Sequence, residues 1–176
     1  MAVTHKHRRA QIIDALYDLF EPLSADSDAP YGDAFPLQVK TVQKRYRHWT
    51  TLDQQGAIPA LLLNFDEVLR KRDGGANTEF AALSETEEYL PIALDVVLKE
   101  SKDTPKALTD QVSDAIYTIE RLINGTPDLD VEGVCRTRVI ETHTSAGRIS
   151  ALEGTPFEIV RFRIIVTHIY PSNTSV

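Results

Sequence analysis

Cysteine is nearly missing from this chain, and that shortage bounds the chemistry first. Cys135 is the single thiol, so no disulfide can form within the chain and a reducing compartment is the expected setting. It lies between Val134 and Arg136 in a segment that reads as a strand, where a buried, inert thiol is expected. Long apolar runs are missing as well, and none approaches the roughly 20 residues that span a bilayer. The basic start His5-Lys-His-Arg-Arg9 passes directly into an amphipathic pattern, which does not suit a signal peptide. These features point to a protein made and used in the cytosol.

Catalytic signatures are equally scarce. No Gly-x-Gly-x-x-Gly, no P-loop and no Gly-x-Ser-x-Gly elbow occurs. The five histidines do not converge. His5 and His7 sit two apart, off a common helical face. A hairpin centred near Ser150 would set His143 opposite Phe157, leaving His168 about 35 Å away at ~3.3 Å per residue. No zinc site or catalytic histidine is expected, because metal sites need three or four converging ligands. Glu85, Glu87 and Glu88 read as a solvated loop. Charge excludes another class: 19 Lys and Arg against 26 Asp and Glu leave a net charge of -7, unsuited to gripping nucleic acid over the whole surface.

What the chain does contain is ordered hydrophobic patterning over 176 residues, enough for one domain with a proper core. Ile12, Ile13, Leu16, Leu19, Phe20 and Leu23 recur at helical spacing, with Asp14 and Asp18 off the stripe, so residues 5–21 form a first helix that Pro22 ends. Residues 24–33 are turn formers. The segment 37–48 reads as a polar strand carrying Lys40, Lys44, Arg45, Arg47 and His48, either a solvated edge or a basic patch. A turn at Gln55-Gly56 leads to a buried strand over 57–65, with Pro59 where a strand can begin. The charged, irregular stretch 66–88 follows.

Residues 89–99 alternate as a strand with Leu90, Ile92, Leu94, Val96 and Leu98 on its core face. Thr104-Pro105 opens a helix with a capping hydroxyl and a proline at the first helical position. Leu108, Val112, Ala115, Ile116, Ile119, Leu122 and Ile123 form its stripe, and Asn124-Gly125-Thr-Pro127 stops it. A strand over 131–143 and a projecting connection over 144–156 lead to 157–170, the longest β-like run and the expected central strand. One parity of that run is Val160, Phe162, Ile164 and Val166; the other mixes Ile159, Arg161, Arg163 and Ile165.

The fold expected is α+β: a single domain over 1–176, with two main helices packed on a mostly antiparallel or mixed sheet of about five strands that ends in a long C-terminal hairpin. Arg161 and Arg163 share one parity and Arg136 and Arg138 another. Such positions suit sheet-face ion pairs, or a polar subunit interface that includes Ile159 and Ile165.

Element order, the Ala57-Ile-Pro-Ala-Leu61 strand after an aromatic-containing segment, and the Val166-x-His168-x-Tyr170 ending resemble the tail-terminator, or head-to-tail joining, proteins of long-tailed bacteriophages. The resemblance covers nearly the whole chain. It implies a non-enzymatic subunit, without cofactor, metal or membrane contact, that forms a homo-oligomeric hexameric ring on the tail tube. It further implies that the ring ends polymerisation of the tube protein and meets the head connector, in the virion after assembly in the host cytoplasm, with DNA only passing through its lumen. Arg70, Lys71, Arg72, Gly74, Gly75 and Arg148 then become candidates for contacts with tube or connector. Three alternatives stand beside it: a neck or head-completion protein, a small α+β enzyme or ligand-binding domain, and nucleic-acid binding by the early basic segment with Tyr46 and Trp49.

Overall fold

A computed structural model describes residues 5–45, 47–65, 85–100, 106–145 and 157–171. The elements in order are α1 (His5–Phe20), β1 (Thr41–Gln43), α2 (Trp49–Gln54), β2 (Ala60–Phe65), β3 (Glu85–Lys99), α3 (Leu108–Gly125), β4 (Val134–Thr144) and β5 (Phe157–Pro171). The five strands form one mixed sheet in the order β1-β2-β3-β5-β4. Only β1 and β2 run parallel; every other neighbour pair is antiparallel. The α+β architecture is therefore the one the patterning predicts.

The period of two in β3 and β5 decides what the sheet buries. Leu90, Ile92, Leu94 and Val96 face the same side as Val160, Phe162, Ile164 and Val166, because directly paired residues of antiparallel strands share a face. That side packs against Ile12, Leu16 and Phe20 of α1 and Ala115, Ile119 and Ile123 of α3 in one core. Each of the larger side chains here, fully withdrawn from water, contributes about 1.5–3 kcal/mol, and Ala115 less. α1 ends where expected, in a 3₁₀ turn over Glu21–Leu23 that contains Pro22.

The second side of the sheet holds a smaller cluster of Leu52, Ile58, Ala60, Leu62, Val97 and Phe157. Leu52 comes from α2, so this short helix covers one end of the face. Residues 90–98 are buried without exception, on both parities. β3 therefore occupies the middle of the sheet, with β5 beside it rather than at the centre.

Several boundaries differ from the sequence reading, each for a local reason. The polar strand expected over 37–48 shrinks to Thr41–Gln43, and the chain turns at Lys44-Arg45 into α2. His48 caps that helix, its Nδ1 accepting from the Thr50 amide at 3.4 Å. Gly56, at φ +64, gives the left-handed exit that a side chain would resist.

α3 begins at Leu108, with Ala107 at the cap position and no side-chain cap. Its first turn closes when the Asp110 and Gln111 amides donate to the Ala107 carbonyl and the Gln111 side chain donates to the Lys106 carbonyl. Thr104 and Pro105 lie outside the described residues. β3 starts at Glu85, so Glu85, Glu87 and Glu88 are strand residues and not loop. β5 extends to Pro171 and pairs all the way to Glu85, and a continuous antiparallel partner overrides a polar composition.

β4 starts three residues late, at Val134. Leu129 and Asp130 adopt positive φ, and the Val134 amide donates to the Val131 carbonyl, so 131–133 belong to a turn. Cys135 falls at the register shift between Val134 and Arg136 and is exposed, because an unpaired bulge residue is not held to the core parity. The hairpin register sets His143 opposite Arg161, not Phe157. His143 and His168 still cannot share a ligand: Arg161 and His168 are seven residues apart on β5 and on opposite parities.

Candidate functional site

Pairing in register brings Arg136, Arg138, Arg161 and Arg163 onto the sheet face that α1 and α3 leave free. Arg136 lies opposite Thr167 and Arg138 opposite Ile165, while Arg161 and Arg163 are partnered by His143 and Glu141 on β4. On its other side Arg161 is directly opposite Asp95 of β3. Its guanidinium grips that carboxylate with both prongs, Nε to Oδ1 at 2.6 Å and Nη2 to Oδ2 at 2.7 Å. Asp95 is 6% exposed in its side chain and Arg161 49%, so the arginine lies as a half-wet cover over a nearly dry carboxylate.

Glu141 ties the next row together. Its Oε2 accepts from Arg163 Nη1 and its Oε1 lies 2.7 Å from His143 Nε2. The Arg163 hydrogen bond is the main reason its carboxyl is held below the usual glutamate range; desolvation opposes it, and the electrostatic influence of neighbouring His143 and Arg163 adds to the lowering. The ion-pair reading of the sheet face thus describes Arg161 and Arg163. Arg136 and Arg138 differ: both are exposed, and neither makes a hydrogen bond or ion pair among the described residues. Ile165 is already buried within the subunit at 9% exposure, and half-buried Ile159 packs against the smaller cluster.

The early basic residues do not join this face. Lys40 donates to the Gly56 carbonyl, Lys44 pairs with Asp14 of α1, and Arg47 donates to Gln55. Lys40 and Arg47 are thus engaged by the turn after α2 and Lys44 by α1, so these three do not line one basic strand. Arg70, Lys71, Arg72, Gly74, Gly75 and Arg148 lie outside the described residues.

On the opposite, helix-bearing side, a groove of about 550 Å³ opens between α1 and the turn that joins α3 to β4. Gln11, Asp14 and Asp18 rim it from α1, Leu129 and Asp130 from the turn, and Tyr31 from the loop after α1. The Tyr31 hydroxyl donates to the Leu19 carbonyl at 3.1 Å, and burial pushes its ionisation up. Sequence reasoning passed over this groove. Its signal was available in Asp14 and Asp18, four apart on α1 and off the apolar stripe, but the approach of a turn more than 100 residues away cannot be read from one helix.

Histidines are dispersed: His48 caps α2, His143 sits on Glu141, and His168 is fully buried on the helix side. Among the described residues no three His, Cys, Asp or Glu side chains are grouped to hold a metal ion, and no helix is long and apolar enough to cross a membrane. Comparison with known proteins finds no matching family model and no matching curated protein.

Proposed function

We propose that this protein is a virion-assembly subunit that forms a ring on the tail tube of a long-tailed bacteriophage, ends tube polymerisation and offers the surface for head joining. The resemblance in element order and in the Ala57–Leu61 and Val166–Tyr170 segments supports it. The observation that carries it furthest is the free sheet face: β4 presents Arg136 and Arg138 to solvent, and neither makes a hydrogen bond or ion pair among the described residues. Guanidinium groups set two apart on one strand face can meet carboxylates of a second protein surface, and the planar fork of arginine gives up less freedom per hydrogen bond formed than a lysine would.

A ring-forming role of this kind needs no cofactor and no catalytic cleft. It needs two different surfaces on each subunit that fit one another around a closed circle. The test is solution mass combined with negative-stain imaging, for the chain alone and mixed with tail tubes. A ring that caps tube ends and halts their growth is expected. A strict monomer at every concentration that never caps a tube overturns the proposal, and rings that bind head connectors without stopping tube growth would move the protein to the neck.

A further inference from the structure

We infer that the groove between α1 and the α3-β4 turn of one subunit receives Arg136 and Arg138 from a second copy of this chain; the inference rests on the ring-forming reading and names its contact. The groove and the arginines lie on opposite sides of the sheet, so they cannot satisfy one another within a subunit. They are opposite in sign. Asp18 and Asp130 have no ion-pair partner among the described residues, and only Asp14 is partly offset, by Lys44.

Spacing matches as well. Two residues along a strand separate Arg136 from Arg138 by ~6.6 Å, and four residues along a helix separate Asp14 from Asp18 by ~6 Å. The groove floor adds Ala15, Leu19 and Leu129, apolar surface suited to the aliphatic stems of arginine. A nucleic-acid occupant of the arginines is less consistent with their surroundings, since Glu141 and Asp95 interleave the same face.

Because the two surfaces are distinct, the contact is head to tail. Each subunit gives its arginines to one neighbour and its groove to the other, and the chain of contacts must close into a ring or continue as a filament. That asymmetry supplies a decisive experiment. Arg136→Glu with Arg138→Glu makes one full-length variant, and Asp14→Arg with Asp18→Arg makes a second. Native mass spectrometry and sedimentation velocity are run over a concentration series, with circular dichroism and thermal melting as checks of folding.

Each variant alone is expected to weaken self-association by at least about tenfold, because like charges then meet. Mixed one to one, they should assemble again with the two variants alternating, since reversed arginines fit reversed grooves and native arginines fit native grooves. Wild-type assembly by either variant alone overturns the inference. So does a mixture that stays dissociated while both variants remain folded. An arginine variant that assembles normally but loses affinity for duplex DNA assigns the arginines to nucleic acid and also overturns it. A wild-type chain that stays monomeric yet caps tubes removes this contact and leaves the terminator assignment standing. Assembly that passes the mixing test without ever capping a tube keeps the contact and removes the assignment.

Discussion

Asp95 and Arg161 show how two charges in one pair carry unequal risk. Asp95 is almost dry and Arg161 is half in water, so removing the arginine strands a buried carboxylate, while removing the aspartate returns a guanidinium to solvent. Arg161→Ala should therefore destabilise the fold by about 2–3 kcal/mol and Asp95→Ala by only about 1 kcal/mol. Urea denaturation of both variants checks the order, and equal losses would contradict it. Glu141 gives a pH prediction. Its folded-state pKa is depressed, so its contribution to stability is present above the unfolded pKa and is lost as pH falls through the folded one. Carbon-detected NMR titration should find the Glu141 carboxyl ionising below ordinary glutamates, and Arg163→Ala should move it back up.

α3 is the element in which sequence and packing agree most closely. Its apolar stripe was legible because Ala115, Ile119, Leu122 and Ile123 recur on one face, and that face is buried. Ile119→Ala should cost about 3 kcal/mol, as large-to-small changes at fully buried sites do, and Tyr117→Ala, two residues away and 52% exposed, under about 1 kcal/mol. Thermal melts of the two variants separate the faces. The helix start was less legible: Thr104-Pro105 is a strong local signal, yet the first turn closes on Ala107 through backbone and Gln111 contacts. β1 is the opposite case. Segment 37–48 has the composition of an exposed strand, but its continuous pairing is confined to the three residues alongside Ala60–Leu62, with Val39 making an isolated bridge to Ser24, and a strand extends only as far as a neighbour supplies hydrogen bonds.

For the whole molecule, sheet order ranks local stability. β3 and β5 are paired on both edges and supply most of the buried sheet face, whereas β1 and β4 are the outer strands. Amide exchange at low concentration should be slowest within 92–97 and 162–166, and faster in β1 and in the 139–144 part of β4. If that part of β4 exchanges as slowly as β3 in a monomeric sample, the ranking fails. Thr137, earlier in β4, is tied down on its outer side, because its amide donates to the Pro127 carbonyl at 2.6 Å.

By itself the sequence determined the class of fold, since periods of 2 and 3.6 in the apolar residues are local properties that hold wherever the segments end up. It also determined that Arg161 and Arg163 share a face with Ile159 and Ile165, because side-chain alternation is built into an extended backbone. Tertiary structure decided the quantities that depend on partners. Pairing to Pro171 made a strand of Glu85–Glu88, a register shift placed Cys135 in solvent, and the hairpin register set His143 beside Arg161. It also chose which cations are satisfied, giving Asp95 to Arg161 and Glu141 to Arg163 while leaving Arg136 and Arg138 exposed. Distances between residues far apart in the chain arise only when the elements pack, and the acidic groove opposite those arginines is made of such distances.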